Sequence, residues 1–108
     1  MAIIVKTDSP RVLISEINKK IKKGEILGWC VDEDGDYHPS TYDVRAWLSP
    51  QIKEEEIVFG IIGRRDIDMT KITYGEYCGR FASMLLVNFD DMFDDVKITA
   101  LLVENTDK

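Results

Sequence analysis

The sequence predicts an α+β fold, a two-layer sandwich in which two helices pack on one face of a mainly antiparallel sheet of four or five strands. Two segments carry apolar residues at helical spacing between helix-start and helix-stop residues. The segments around them are short, rich in β-branched residues and separated by turn residues. The chain has 108 residues, of which 44% are hydrophobic, which suits one domain. We assign that domain to residues 1–103, with residues 104–108 as a flexible tail.

The first two predicted elements are a short strand over residues 2–6 and an amphipathic helix. Ser9 is the expected N-cap, and Pro10 follows at the first helical position, where its missing N–H is not needed. Gly24 suits the left-handed residue that ends a helix. The helix carries four apolar residues at helical spacing and four lysines near its end, where cations complement the helix dipole: Leu13, Ile14, Ile17 and Ile21; Lys19, Lys20, Lys22 and Lys23.

Residues 25–31 are predicted to form a strand in which Leu27, Trp29 and Val31 share one face, with Trp29 in the core. An acidic turn follows, and Gly35 falls where a three-residue hairpin loop requires a left-handed residue. With Glu33, Asp34 and Gly35 as the loop, Asp32 lies opposite Asp36, Val31 opposite Tyr37 and Cys30 opposite His38.

Two further strands are predicted before the second helix. Residues 43–48 form one of them, which we expect to end at Ser49 and Pro50. Trp47 lies on the opposite face from Val44 and Ala46, so we expect it to be an exposed aromatic residue. Residues 56–63 are apolar on both faces, which is typical of a strand buried on both sides, and we place this strand at the centre of the sheet.

The second helix is predicted from a capping box, in which Thr73 caps the helix start and Glu76 lies three residues later. Ile72 and Tyr77 are spaced as a hydrophobic staple around it, and the apolar stripe continues to Phe89. Residues 96–103 form the last predicted strand. The order is β-α-β-β-(β)-α-β, which resembles a ferredoxin-like fold with an extra strand.

Charge is the most informative functional signal. Fourteen basic and twenty acidic residues give a net charge of −6. The acidic residues concentrate in three clusters: Asp32, Glu33, Asp34 and Asp36; Glu54, Glu55 and Glu56; and Asp90, Asp91, Asp94 and Asp95. An acidic protein repels nucleic acid, so we expect a basic protein partner rather than RNA bound through the first helix's lysines with Arg64 and Arg65.

No metal, cofactor or disulfide is expected. Asp32, Asp34 and Asp36 alternate like the start of a calcium-binding EF-hand loop, but Tyr37 stands where that loop needs a glycine. Cys30 and Cys78 lack metal-ligand spacing, which favours reduced thiols in the cytoplasm. No run resembles a secretory leader or is long enough for a membrane span.

Gly75, Gly79 and Ser83 form a small-residue ridge inside the second helix. Each interior glycine costs a helix about 1 kcal/mol relative to alanine, so such a ridge usually has a packing reason. We expect close packing within the molecule, with a homodimer contact as the alternative.

We predict a non-catalytic protein-binding or regulatory module whose acidic surface binds a basic partner. An immunity-type inhibitor or a nucleic-acid-mimicking anti-defence protein fits this size and charge. The predicted partner-binding residues are Trp47, Gly75, Gly79, Arg80, Asp90, Asp91, Asp94 and Asp95. The alternative is a small enzyme or ligand-binding domain with a pocket between sheet and helices, lined by Tyr74, Tyr77, Cys30 and His38.

Overall fold

The computed structural model describes residues 1–100, which form six strands and two helices. In chain order these are β1 (Ala2–Lys6), α1 (Pro10–Lys22), β2 (Trp29–Val31), β3 (Tyr37–Pro39), β4 (Ala46–Ile52), β5 (Glu56–Gly63), α2 (Lys71–Phe89) and β6 (Asp95–Ile98). The strands form one sheet in the order β2-β3-β4-β5-β1-β6, and every neighbouring pair is antiparallel. The predicted α+β class, with two helices and an antiparallel sheet, is confirmed.

The strand count and the ferredoxin-like order are not matched. Four strands separate α1 from α2, because the return arm of the acidic hairpin is a strand of its own. This arm, β3, is only three residues long and pairs with β4 at a single position, Tyr37 with Leu48.

The core lies between the helices and one face of the sheet. Phe81 of α2 is its centre, because its ring lies 5.0 Å from that of Trp29, 5.5 Å from that of Tyr37 and 4.9 Å from that of Phe59, measured between centroids. The pairs with Trp29 and Phe59 are edge-to-face, and such pairs add stability beyond the area they bury. From α1, Leu13 and Ile17 are fully buried against the same face, alongside the sheet residues Ile3, Val5, Leu48 and Ile57.

The other face of the sheet is open. β5 lies in the middle of the sheet as predicted, between β4 and β1, but the prediction that it is buried on both sides is wrong. Its outward residues Val58 and Ile62 are partly and half exposed, because both helices pack on the face that carries Ile57 and Phe59.

β2 is shorter than predicted and begins at Trp29. Gly28 has a φ of +89°, a left-handed conformation that interrupts an extended strand. Leu27 is therefore exposed and does not share a face with Trp29, while Ile26 is buried in its place. The hairpin register is as predicted, with Cys30 opposite His38 and Val31 opposite Tyr37, and Gly35 has a φ of +83°.

β4 continues through Pro50 to Ile52, so the prediction that Ser49 and Pro50 end this strand is wrong. β3 pairs with β4 only at Leu48, so the stretch from Ser49 onward has β5 on one side and none of the six described strands on the other. Proline is tolerated in such an edge stretch, because its missing N–H is not needed by a neighbouring strand.

α1 begins at Pro10 with Ser9 as N-cap, as predicted. The N-cap of α2 is Thr70, three residues before the predicted cap Thr73, and the helix begins at Lys71. The Thr70 Oγ1 accepts a hydrogen bond from the Thr73 N–H at 3.1 Å. The predicted staple is also wrong, since Ile72 lies inside the helix and is exposed.

The last strand ends at Ile98, and the end of the predicted 96–103 strand and the predicted tail at 104–108 lie outside the described residues. Neither helix in residues 1–100 combines the length and the apolar character needed to cross a bilayer.

Candidate functional site

The strand directions bring all three acidic clusters to one end of the sheet. β2 and β4 are both antiparallel to β3, so the turns that follow them, including the hairpin turn 32–36 and the turn before Glu56, lie at the same end. The last residue of β1, Lys6, pairs with Glu56 on one side and Asp95 on the other. The third cluster, which leads into β6, therefore lies at that end too.

We call this region the acidic end. Asp8 belongs to it, because it lines one shallow concavity with Ile52–Glu54 and another with Asp91–Asp94. The acidic end contains twelve carboxylates against four cations, a net charge of −8: Asp8, Asp32, Glu33, Asp34, Asp36, Glu54, Glu55, Glu56, Asp90, Asp91, Asp94 and Asp95; Lys6, Arg11, Lys20 and Lys53.

Within residues 1–100, the carboxylates of the acidic end form no ion pair with a side chain. The ion pairs between side chains of residues 1–100 all lie at the opposite end, where Asp43 binds Arg45 at 2.8 Å and Arg64 at 3.0 Å, and Arg64 binds Asp66 at 2.6 Å. The hydrogen bond from Arg64 holds the pKa of Asp66 below its usual range, and those to Asp66 and Asp43 raise the pKa of Arg64. Lys20 of α1 lies near the end of α2, because its Nζ is 5.1 Å from the centroid of the Phe89 ring, next to Asp90 of the third cluster.

The first cluster is organised by its own turn. One carboxylate oxygen of Asp32, Oδ1, accepts hydrogen bonds from the N–H groups of Asp34, at 3.0 Å, and Asp36, at 2.9 Å. The carboxylates of these three residues come within 4.8 Å of one another. Aspartate commonly bonds its own backbone in this way in turns, so hairpin geometry alone accounts for the convergence.

Cys30 and His38 are cross-strand neighbours as predicted, and they lie on the open face of the sheet. The Cys30 Sγ lies 3.3 Å from the Ser40 Oγ, and the His38 Nδ1 lies 2.9 Å from the Pro39 carbonyl oxygen. A thiol that is activated for catalysis would need a neighbouring base, and these contacts do not provide one.

Tyr74 and Tyr77 lie on the other side of the sheet and face the core. The Tyr77 hydroxyl accepts hydrogen bonds from the N–H groups of Arg45, at 3.0 Å, and Ala46, at 3.1 Å, so it fixes the start of β4 to α2. The Tyr74 hydroxyl donates to the Thr99 carbonyl oxygen, and burial raises the pKa of this hydroxyl. The four side chains of the predicted pocket thus lie on two sides of the sheet and do not converge.

The predicted partner-binding residues occupy three separate surfaces. Trp47 lies on the open sheet face, partly buried beside Ile62, whereas Gly75, Gly79 and Arg80 lie on the exposed side of α2. The four aspartates of the third cluster belong to the acidic end.

The prediction that the glycine ridge serves close packing within the molecule is wrong. A Cβ built on Gly75 or Gly79 would meet no atom within 4 Å, apart from those of its own helix turn. Two exposed apolar residues near this ridge, Leu27 and Val87, escaped the sequence analysis. Gly28 could have indicated that Leu27 is exposed, because a glycine in a left-handed conformation interrupts the strand and turns Leu27 out of it.

No protein-family model, curated protein or solved structure matches this chain.

Proposed function

We propose that this protein is a non-catalytic binding or regulatory module that presents its acidic end to a basic surface of a partner protein. The supporting observation is the position of three sequence-separated acidic clusters at one end of a single antiparallel sheet. Charge of one sign gathered on one surface raises the association rate with an oppositely charged partner and orients it during the encounter.

The extent of the acidic end indicates the kind of partner. The hairpin turn after β2 and the start of β6 are separated by five strand-to-strand steps, which is about 24 Å at the usual strand spacing. Carboxylates spread over this distance match an extended basic surface better than a single small cation. An immunity-type inhibitor or a nucleic-acid-mimicking anti-defence protein would use its surface in this way.

The experiment compares two variants that remove the same amount of charge. Asp94→Asn neutralises one exposed carboxylate of the acidic end, and Asp68→Asn neutralises one exposed carboxylate at the opposite end, between the last residue of β5 and the first of α2. Each protein is immobilised, partners are captured from extracts of the source cells at low and high salt, and captured proteins are identified by mass spectrometry. Binding of the purified partner is then measured for all three proteins.

We expect a basic partner whose affinity for the wild type falls steeply with salt, because exposed charges are screened within about 10 Å at 0.1 M ionic strength. The acidic-end variant should bind more weakly, and the opposite-end variant should bind like the wild type. Salt-insensitive binding, or equal weakening by both variants, would contradict the proposal.

A further inference from the structure

The exposed side of α2 is apolar. Ile72, Leu86 and Val87 are 73%, 55% and 76% exposed. Leu27, which is 86% exposed, lines the same concavity of about 570 Å³ as Val87. Between residues 72 and 87 the helix carries only two charged side chains. A helix side that remains in water is normally polar, so this surface has the composition of a contact rather than of a solvated face.

The residues on this side repeat symmetrically about Gly79. Ile72 and Leu86 each lie seven residues from Gly79, and Gly75 and Ser83 each lie four residues from it. If a second copy of α2 crosses the first in the antiparallel direction, with a two-fold axis at Gly79, Ile72 of each copy faces Leu86 of the other. A surface that is complementary to itself under such an axis is what a symmetric dimer requires.

The charges on this side are complementary under the same axis. Glu76 lies three residues before Gly79 and Arg80 one residue after it, so Glu76 of one copy is offset from Arg80 of the other by about 3 Å along the helix. Both side chains are exposed, and neither forms an ion pair with another side chain of residues 1–100. We propose that α2 binds α2 of a second copy in this antiparallel arrangement, with two symmetric Glu76–Arg80 ion pairs.

The glycines permit the close approach that this arrangement needs. Since a Cβ at Gly75 or Gly79 would project into open space, its absence leaves room for the backbone of a second helix. The strip from Ile72 to Leu86 is about 21 Å long and about 10 Å wide. Its area of roughly 200 Å² is well below the roughly 800 Å² per partner of a stable interface, so the dimer is weak and reversible.

Sedimentation velocity of the full chain over a wide concentration range tests the dimer. The wild type should shift from monomer to dimer as concentration rises. Leu86→Lys places a charge in the contact and should abolish the shift. Ile62→Lys is the matched control, because it adds the same charge to a half-exposed apolar position on the open sheet face. A wild type that stays monomeric at every concentration, or a larger loss with Ile62→Lys, would overturn the inference.

Charge reversal tests the orientation. Glu76→Arg and Arg80→Glu should each weaken the dimer about fivefold or more, because each replaces two ion pairs by two like-charge contacts. The double variant restores opposite charges and should recover wild-type dimerisation. A double variant as weak as the two single changes combined would overturn the antiparallel pairing.

A cysteine on the two-fold axis gives a second measurement of the orientation. In a Cys30→Ser background, Gly79→Cys should form an intermolecular disulfide on oxidation, since the two Cα atoms lie close together only at the axis and a disulfide needs them within about 7 Å. Val87→Cys is the control, because eight residues separate it from the axis. Crosslinking of Val87→Cys but not of Gly79→Cys would contradict this arrangement. The inference concerns a different surface from the acidic end, so it does not depend on the proposed function.

Discussion

Replacement of Gly79 by alanine should raise the free energy of unfolding of the monomer by about 1 kcal/mol. Gly79 lies in the interior of α2, is exposed, and has a helical rather than a left-handed backbone. An added Cβ meets no atom within 4 Å apart from its own helix turn. Alanine therefore fits without strain, and it removes backbone freedom that glycine has in the unfolded chain.

Gly28→Ala is the matched control. A Cβ at Gly28 also meets no atom within 4 Å, but its φ of +89° is one that L side chains rarely adopt. Alanine there should lower stability by about 1–2 kcal/mol. The two variants make the same chemical change in equally open surroundings, so the opposite signs isolate the effect of backbone conformation.

Urea unfolding followed by far-ultraviolet circular dichroism at low protein concentration, where the monomer predominates, measures both changes. The denaturant slope should stay constant, so that the midpoint reports stability alone. In thermal unfolding, 1 kcal/mol corresponds to a shift in Tm of about 4–8 °C for a domain of nearly this size. A loss of stability in Gly79→Ala would show that another part of the protein packs over this position, and the open α2 surface would then be wrong.

Three further predictions concern the core and the helix starts. Burial raises the pKa of the Tyr37 hydroxyl, so the unfolded chain loses this proton at a lower pH than the folded protein does. The free energy of unfolding should therefore fall as the pH rises above about 10, and Tyr37→Phe should make that fall shallower. Thr70→Ala removes a side-chain cap and should cost about 1 kcal/mol in chemical denaturation, whereas Ser9→Ala should cost less, because Ser9 makes no cap hydrogen bond. A thiol reagent should modify Cys30 in the folded protein and Cys78 only after unfolding, because Cys78 is buried and burial raises its pKa.

The features that the sequence predicted well are those that a few neighbouring residues determine. The acidic hairpin is an example, because Gly35 at the left-handed position sets both the loop and the register that places Cys30 opposite His38. The start of α1 is another, since Pro10 suits only the first turn of a helix. Turn and cap chemistry acts over a few residues and is therefore visible in the sequence.

The features that the sequence mispredicted depend on distant neighbours. A proline ends a strand that has neighbouring strands on both sides, but it is tolerated in a strand with an open edge. Whether β3 extends far enough to pair with Pro50 depends on distant residues, so the sequence around Pro50 does not predict it. The same holds for β5, because apolar residues on both faces suit a strand covered on both sides. Val58 and Ile62 stay accessible only because both helices pack on the opposite face.

The position of the acidic clusters depends on the number of strands between them. Consecutive antiparallel strands alternate in direction, so an even number of strands between two turns places them at the same end of the sheet, and an odd number places them at opposite ends. Two strands, β3 and β4, lie between the hairpin turn 32–36 and the turn before Glu56. If β3 (Tyr37–Pro39) were absent, only β4 would lie between the two turns, and the two clusters would lie at opposite ends of the sheet. The three-residue strand β3, which places Tyr37 in the core, therefore decides whether the two clusters form one surface or two.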